Sequence, residues 1–279
     1  MSGIDVARAL SEARACDVDR LDAQLLLARV MDRPRSWLLA HDDALLDAGQ
    51  LTRFRADLAR RAAGEPLAYV HGEKEFHGLT LHVTPQVLVP RPDTEVLVDW
   101  ALDCLRAGVA QPTVLDLGTG SGAIALALAK GWPAATVCAV DASTAALEVA
   151  RANGQRLGLN VEWLCSDWWS ALAQRRFDLV VSNPPYIAED DPHLVALQHE
   201  PLMALTPGGD GLGALRRIVP GAAIHLQPGG WLLLEHGFDQ GPQVKDLLQA
   251  AGLQNIAARH DLGGHWRCTG GQWNGDDLG

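Results

Sequence analysis

Asn183-Pro184-Pro185-Tyr186, set between the apolar run Phe177 to Ser182 and a polar loop, has the composition of a clamp for a planar, conjugated nitrogen. The lone pair of an amide or aromatic amine is delocalised, so such a nitrogen reacts only when its NH2 group is fixed and aimed at an electrophile. The side-chain carbonyl of Asn183 and the backbone carbonyl of Pro184 are suited to accept its two N–H bonds. Two adjacent prolines restrict the backbone that carries those acceptors, and Tyr186 offers a ring face to a planar group. Taken alone, a Pro-Pro pair after a strand is an ordinary turn, so its surroundings decide the reading.

Upstream, Val114 to Gly122 places a glycine-rich turn between a strand and its helix, where missing side chains let a ligand reach the backbone. Gly118, Gly120 and Ala123 also satisfy a dinucleotide GxGxxA pattern. Asp116, in the last turn of the strand, suits a cationic amino-acid group better than a pyrophosphate. Asp141 ends the next strand, where an acid holds ribose hydroxyls. After the third strand, Asp167 is placed for an adenine amine and Trp168 for the ring; core packing is an even alternative for Trp168 and Trp169 by themselves.

The elements that must position these groups follow from periodicity. From Ile4 to Ala63 apolar residues recur at helical spacing, as in Leu21, Leu25, Ala28 and in Leu51, Phe54, Leu58, which predicts a small helical bundle. Tyr69 to Arg91 reads as a short hairpin and connector. A helix from Thr94 to Arg106 then leads to alternating units: strand 114–117, a helix from Ser121, strand 136–140, a helix from Thr144, and strand 161–164. Strands at 177–181 and 231–234 and short edge strands at 256–260 and 266–269 complete a mostly parallel sheet with crossover helices. The divisions are 1–72, 73–92 and 93–279. The site residues then fall at carboxyl ends of parallel strands, where open α/β sheets bind ligands.

Composition narrows the class. With 279 residues and a formal net charge of −11, the chain has material for large cores and no broad attraction to phosphate backbones or anionic membranes. No run approaches the roughly 18 apolar residues of a membrane span, and no secretory leader is apparent, so cytoplasmic residence is expected. The five scattered cysteines read as reduced thiols, and neither they nor His193, His199, His236 and His260 have metal-ligand spacing. Arg53, Arg55, Arg60 and Arg61 read first as a solvated helix face and second as a partner surface.

The order of glycine turn, Asp141, Asp167-Trp168 and Asn183 to Tyr186 closely resembles the class I S-adenosylmethionine-dependent methyltransferases, within their amino-methylating branch. Glu65-Pro66-Leu67-Ala68-Tyr69, Glu75 to Leu79, Pro90 to Glu95, Glu200-Pro201-Leu202 and Leu234 to Gly237 further resemble, in order and spacing, the release factor glutamine methyltransferases over most of the chain. That resemblance implies a Rossmann-like seven-stranded sheet with an N-terminal helical bundle that docks a release factor, joined by a β-hairpin. It implies methyl transfer from S-adenosylmethionine to the glutamine amide of the Gly-Gly-Gln loop of bacterial class 1 release factors; a monomer is the default expectation, and the sulfonium donor, already a strong electrophile, requires no metal. It also implies a donor site formed by Asp116, Gly118, Thr119, Gly120, Ser121, Gly122, Asp141, Asp167, Trp168 and Asn183. Asn183, Pro184, Pro185 and Tyr186 would hold the glutamine, with Asn183, Pro184 and Tyr186 at the chemistry. Arg91 and Glu95 carry no assigned role, ion pairing and function being balanced. The alternatives are an amino methyltransferase of adenine or guanine in rRNA or DNA, a noncatalytic donor-binding scaffold, and an NAD-dependent enzyme. Gly270-Gly271-Gln272 reproduces the substrate tripeptide, which a glycine-rich tail explains by coincidence.

Overall fold

The computed structural model describes residues 3–261 and 263–275. Its contacts divide the chain into two compact units, Met1–Gly72 and Glu73–Gly279.

The first unit contains five helices: α1 (Val6–Ala15), α2 (Arg20–Met31), α3 (Arg35–Ala40), α4 (Ala48–Ala62) and α5 (Leu67–His71). Aspartates start three of them. Asp5, Asp19 and Asp47 accept backbone N–H bonds from the first turns of α1, α2 and α4, and Gln50 closes a capping box on Asp47. The core includes Val6, Leu26, Leu27, Leu38, Phe54 and Leu58. In α2 the structure differs from the spacing of Leu21, Leu25 and Ala28: Ala23, Leu26, Leu27 and Ala28 are buried, while Leu21 is 45% exposed. Leu25 to Ala28 is apolar all round, so periodicity selects no face there. Tyr69 and Val70 belong to α5 and not to the hairpin. Three of the clustered arginines are ion-paired inside this unit, Arg55 with Glu12, Arg60 with Glu65 and Arg61 with Asp22, in keeping with a solvated face.

The second unit opens with a hairpin, β1 (Glu73–Phe76) and β2 (Leu79–His82), turned at His77 and Gly78, both with positive φ. Glu95 accepts the His77 N–H at 3.0 Å, which gives that acid a structural role. A 3-10 turn at Pro92–Thr94 leads into α6 (Glu95–Ala107). The alternating part follows: β3 (Thr113–Leu117), α7 (Ala123–Gly131), β4 (Thr136–Asp141), α8 (Thr144–Leu157), β5 (Glu162–Cys165) and β6 (Phe177–Ser182). Short helices α9 (Gly213–Ile218) and α10 (Ala222–His225) precede β7 (Leu226–Glu235), α11 (Gly241–Ala250), β8 (Gln254–His260) and β9 (Trp266–Trp273).

The seven strands lie in the order β5-β4-β3-β6-β7-β9-β8, parallel from β5 through β7 and antiparallel at β9 and β8. Central strands such as Val114-Leu115 and Val180-Val181 are buried on both faces, as a sheet covered by helices on each side requires. One face packs on α6 and α7 and includes Phe76, Leu79 and Leu81 of the hairpin. The other packs on α9, α10 and α11. Asn153, fully buried in α8, ties the hairpin to the sheet: Oδ1 accepts from His82 N at 2.7 Å, and Nδ2 donates to the carbonyls of His82 and Ser121. Gln272 lies in β9 with its amide donating to Gly229 O and accepting from Asn255, so the Gly270-Gly271-Gln272 tripeptide is part of the sheet. No helix among the described residues is long and apolar enough to cross a membrane.

Candidate active site

Chain order reverses direction at β3. The next units run outward to β4 and β5, then the chain returns to β6 on the other side. Such a switch point leaves a crevice at the carboxyl ends of the strands. Here it holds a cavity of about 430 Å³.

The glycine turn forms one wall. Gly118, Gly120 and Gly122 all have φ between 54° and 83°, a region that disfavours side chains. A Cβ on Gly118 would reach the Trp168 ring at 3.4 Å, so the turn and the ring already stand at contact distance. Asp116 lies beneath this turn, fully buried. Its Oδ2 accepts from Thr119 Oγ1 at 2.7 Å and Ala125 N at 3.2 Å, while Oδ1 has no partner. Burial pushes its carboxyl up to about 7. Asp141 divides its oxygens between Gly120 N and Ser143 N, each at 2.8 Å, and so links the turn to the start of α8. Burial raises its pKa against the pull of those N–H groups.

Asp167 and Trp168 close the next side. Trp168 has φ 52°, uncommon for a bulky residue, and its carbonyl accepts from Ser166 Oγ at 2.7 Å. Asp167 is paired with Arg217 of α9, and both line the cavity. Trp169 faces away, stacking on His225 and donating to Ile218 O, so the packing reading holds for it.

The clamp follows β6. Asn183 Nδ2 donates to Thr94 Oγ1 at 3.2 Å, which leaves Oδ1 as the acceptor end of the amide. The Tyr186 carbonyl accepts from Gln240 Nε2 at 2.9 Å, and a Cβ on Gly211 would collide with that same oxygen. The Tyr186 phenol is pushed up by burial and by the Glu235 charge.

Gly118 to Ser121, Asp141, Asp167, Trp168, Asn183 and Pro185 all border this cavity. Asp116, Gly122, Pro184 and Tyr186 are not among its lining residues, and Asp116 braces the turn from beneath. Several contributors escaped the motif reading: Arg217, Gln240 and Gly211 carry no local signal, and Thr94 lies within the Pro90 to Glu95 segment without a role of its own. Arg91 pairs with Glu200 and also borders the cavity, while Glu200 and Glu235 sit in segments whose individual roles were unassigned. Among the described residues no cluster of three or more metal-ligating side chains occurs.

A glycine turn in contact with an indole, an acid at the end of the neighbouring strand and a clamp across the crevice fit an adenosine carrying an amino-acid tail. Together with this sheet order they define a class I S-adenosylmethionine-dependent methyltransferase. Residues 94–212 match the family described as Methyltransferase small domain, and residues 5–72 match the PrmC N-terminal domain. A T. thermophilus 16S rRNA N2 G1207 methyltransferase, solved with AdoMet and guanosine, shares the fold with a TM-score of 0.54 at 24% identity, over 72% of this chain and 49% of that one. The release factor glutamine methyltransferase of Bordetella pertussis is 52% identical over 90% of this chain and 94% of its own. That of Pseudomonas aeruginosa is 51% identical over 91% and 92%. The chain belongs to the release factor glutamine methyltransferases.

Proposed function

We propose that this enzyme methylates the side-chain amide nitrogen of the glutamine in the Gly-Gly-Gln loop of bacterial class 1 release factors, acting as a cytoplasmic monomer with S-adenosylmethionine as donor. The observation that carries the acceptor chemistry is the orientation of Asn183, whose NH2 end is taken by Thr94 while its Oδ1 end is left for a substrate N–H.

Gly118 to Gly122, Asp141, Asp167 and Trp168 hold the donor, Asp141 at the ribose and Trp168 against the adenine. Asp116 acts through the turn that it braces. When bound, the donor supplies a methyl group on a cationic sulfur, already a strong electrophile. A primary amide has essentially no basic lone pair, so positioning is the main task of the protein. Asn183 Oδ1 and the Pro184 carbonyl take the two N–H bonds and orient the nitrogen. As positive charge develops there, the same two oxygens stabilise it. The nitrogen sheds one proton to solvent during or after attack, which leaves the N-methyl amide neutral. Tyr186 offers its ring to the planar amide, Pro185 borders it, and Gln240 and Gly211 hold the clamp backbone in place. The helical unit docks the release factor.

The decisive experiment is incubation with labelled donor and purified release factors, beside Gln→Ala loop variants, rRNA and DNA. Label on the loop glutamine alone is the expected result. Label on nucleic acid and none on the factor overturns the assignment, and label on neither supports a binding scaffold.

A further inference from the structure

Glu235 ends β7 and is 1% exposed. Among the described residues no cation is ion-paired with its carboxyl: Arg267, the nearby charge on β9, is shared between Asp93 at 3.2 Å and Asp261 at 3.1 Å. Oε2 has no hydrogen-bond partner. The Thr94 hydroxyl and the Asn183 side chain both neighbour this carboxyl and favour its charged form. Thr94, 4% exposed, also accepts from Asn183 Nδ2. A hydroxyl has a single proton, so with its oxygen accepting from Asn183, Thr94 directs that proton toward Glu235. The chain of donors therefore runs one way, from Asn183 through Thr94 to the carboxylate.

An ionised carboxylate only accepts hydrogen bonds. Were the Asn183 amide turned over, its oxygen would face that carboxylate in a closed, low-dielectric place where acceptor against acceptor is costly. We propose that Glu235 is a positioning residue for methyl transfer: together with Thr94 it holds the NH2 end of Asn183 and so presents Oδ1 to the substrate nitrogen. The inference rests on Asn183 being the acceptor clamp.

Protonation removes the constraint, because a carboxylic acid also donates and then satisfies either orientation of the amide. Burial pushes the Glu235 carboxyl up to about 7. The charged and titratable groups facing it are Asp93, Arg267, Tyr186 and Cys268. Tyr186 and Cys268 are both pushed up by burial, away from neutrality, and Arg267, which burial acts to lower, is held above its ordinary value by Tyr186, Asp261, Asp93 and Glu235.

Three variants of the full chain test this: Asn183→Ala, Glu235→Gln and Thr94→Val, the last two close in shape to the residues they replace. Each is measured for donor affinity by calorimetry and for kcat on a release factor between about pH 5.5 and pH 8.5. Wild type is expected to lose kcat as pH falls through about 7. Glu235→Gln is expected to lack that limb and, with Thr94→Val, to turn over about tenfold or more slowly at pH 8, with donor Kd within about twofold of wild type. A Glu235→Gln enzyme with the wild-type rate and acid limb, beside an inactive Asn183→Ala, overturns the role of Glu235 and leaves the clamp standing. Turnover by Asn183→Ala overturns the clamp itself, and this inference with it.

Discussion

The guanidinium of Arg91 is ion-paired with the carboxylate of Glu200, whose other oxygen accepts the Val89 N–H at 3.0 Å. Glu200 is almost completely buried, and the pair joins the loop before α6 to the loop beyond the clamp, both of which reach the cavity through Arg91, Pro201 and Met203. Removing Glu200 leaves the buried Val89 N–H without its acceptor, while Arg91, with a side chain 36% exposed, keeps access to water. Glu200→Ala is therefore expected to cost about 2 kcal/mol, seen as a lowered urea midpoint with unchanged slope. Arg91→Lys loses geometry and keeps charge, so a smaller shift in the same direction is expected.

Asn183→Ala keeps the donor wall and removes an acceptor needed as charge develops on nitrogen. We expect kcat to fall by about 100-fold or more while donor binding stays within a few-fold by calorimetry. Strong loss of donor affinity with intact turnover at saturation would refute the acceptor role.

Gly211 and Gly209 separate backbone strain from collision. Both have positive φ, but a Cβ on Gly209 meets nothing within 4 Å, whereas one on Gly211 strikes the Tyr186 carbonyl oxygen. Gly209→Ala should cost about 1 kcal/mol in unfolding free energy, the left-handed penalty alone. Gly211→Ala should cost clearly more and also lower kcat, because the clamp backbone must move; equal losses for the two would show that the contact does not matter.

Asp116 gives a pH signature with a definite sign. Its folded pKa of about 7 lies above the ordinary value of 3.8, so between those values the folded state holds a proton that the unfolded chain has released. Folding stability then declines as pH rises through that window. Asp116→Asn cannot ionise and lacks this decline. The melting-temperature difference between variant and wild type is expected to shift in favour of the variant from pH 4 to pH 8, by differential scanning calorimetry; a pH-independent difference would show that the carboxyl does not titrate there.

The parts of the site legible in the sequence are those whose chemistry is local. The glycine turn needs a φ above zero within a few residues of a strand end, Asp141 is simply the last residue of β4, and Asn183-Pro184-Pro185-Tyr186 carries its acceptors and its stiffness in one run. The alternation of apolar runs with helical spacing was likewise enough for a mostly parallel sheet with crossover helices. In α2 the spacing found the helix and not its buried face, because Leu25 to Ala28 are apolar all round and burial is settled by what packs against them.

What orients the clamp lies elsewhere in the chain. Thr94 is 89 positions from Asn183, Gln240 is 54 from Tyr186, and Glu200 is 109 from Arg91. By itself the sequence determined the alternating strands and helices of the sheet and the positive-φ glycine turn, because backbone preference is written residue by residue. Only the tertiary structure decided which end of the Asn183 amide faces the cavity, that Asp116 braces the turn from below, and that Glu235 is buried beside Thr94. Those outcomes depend on strand order and loop return, which bring distant residues within hydrogen-bonding distance and remove them from water.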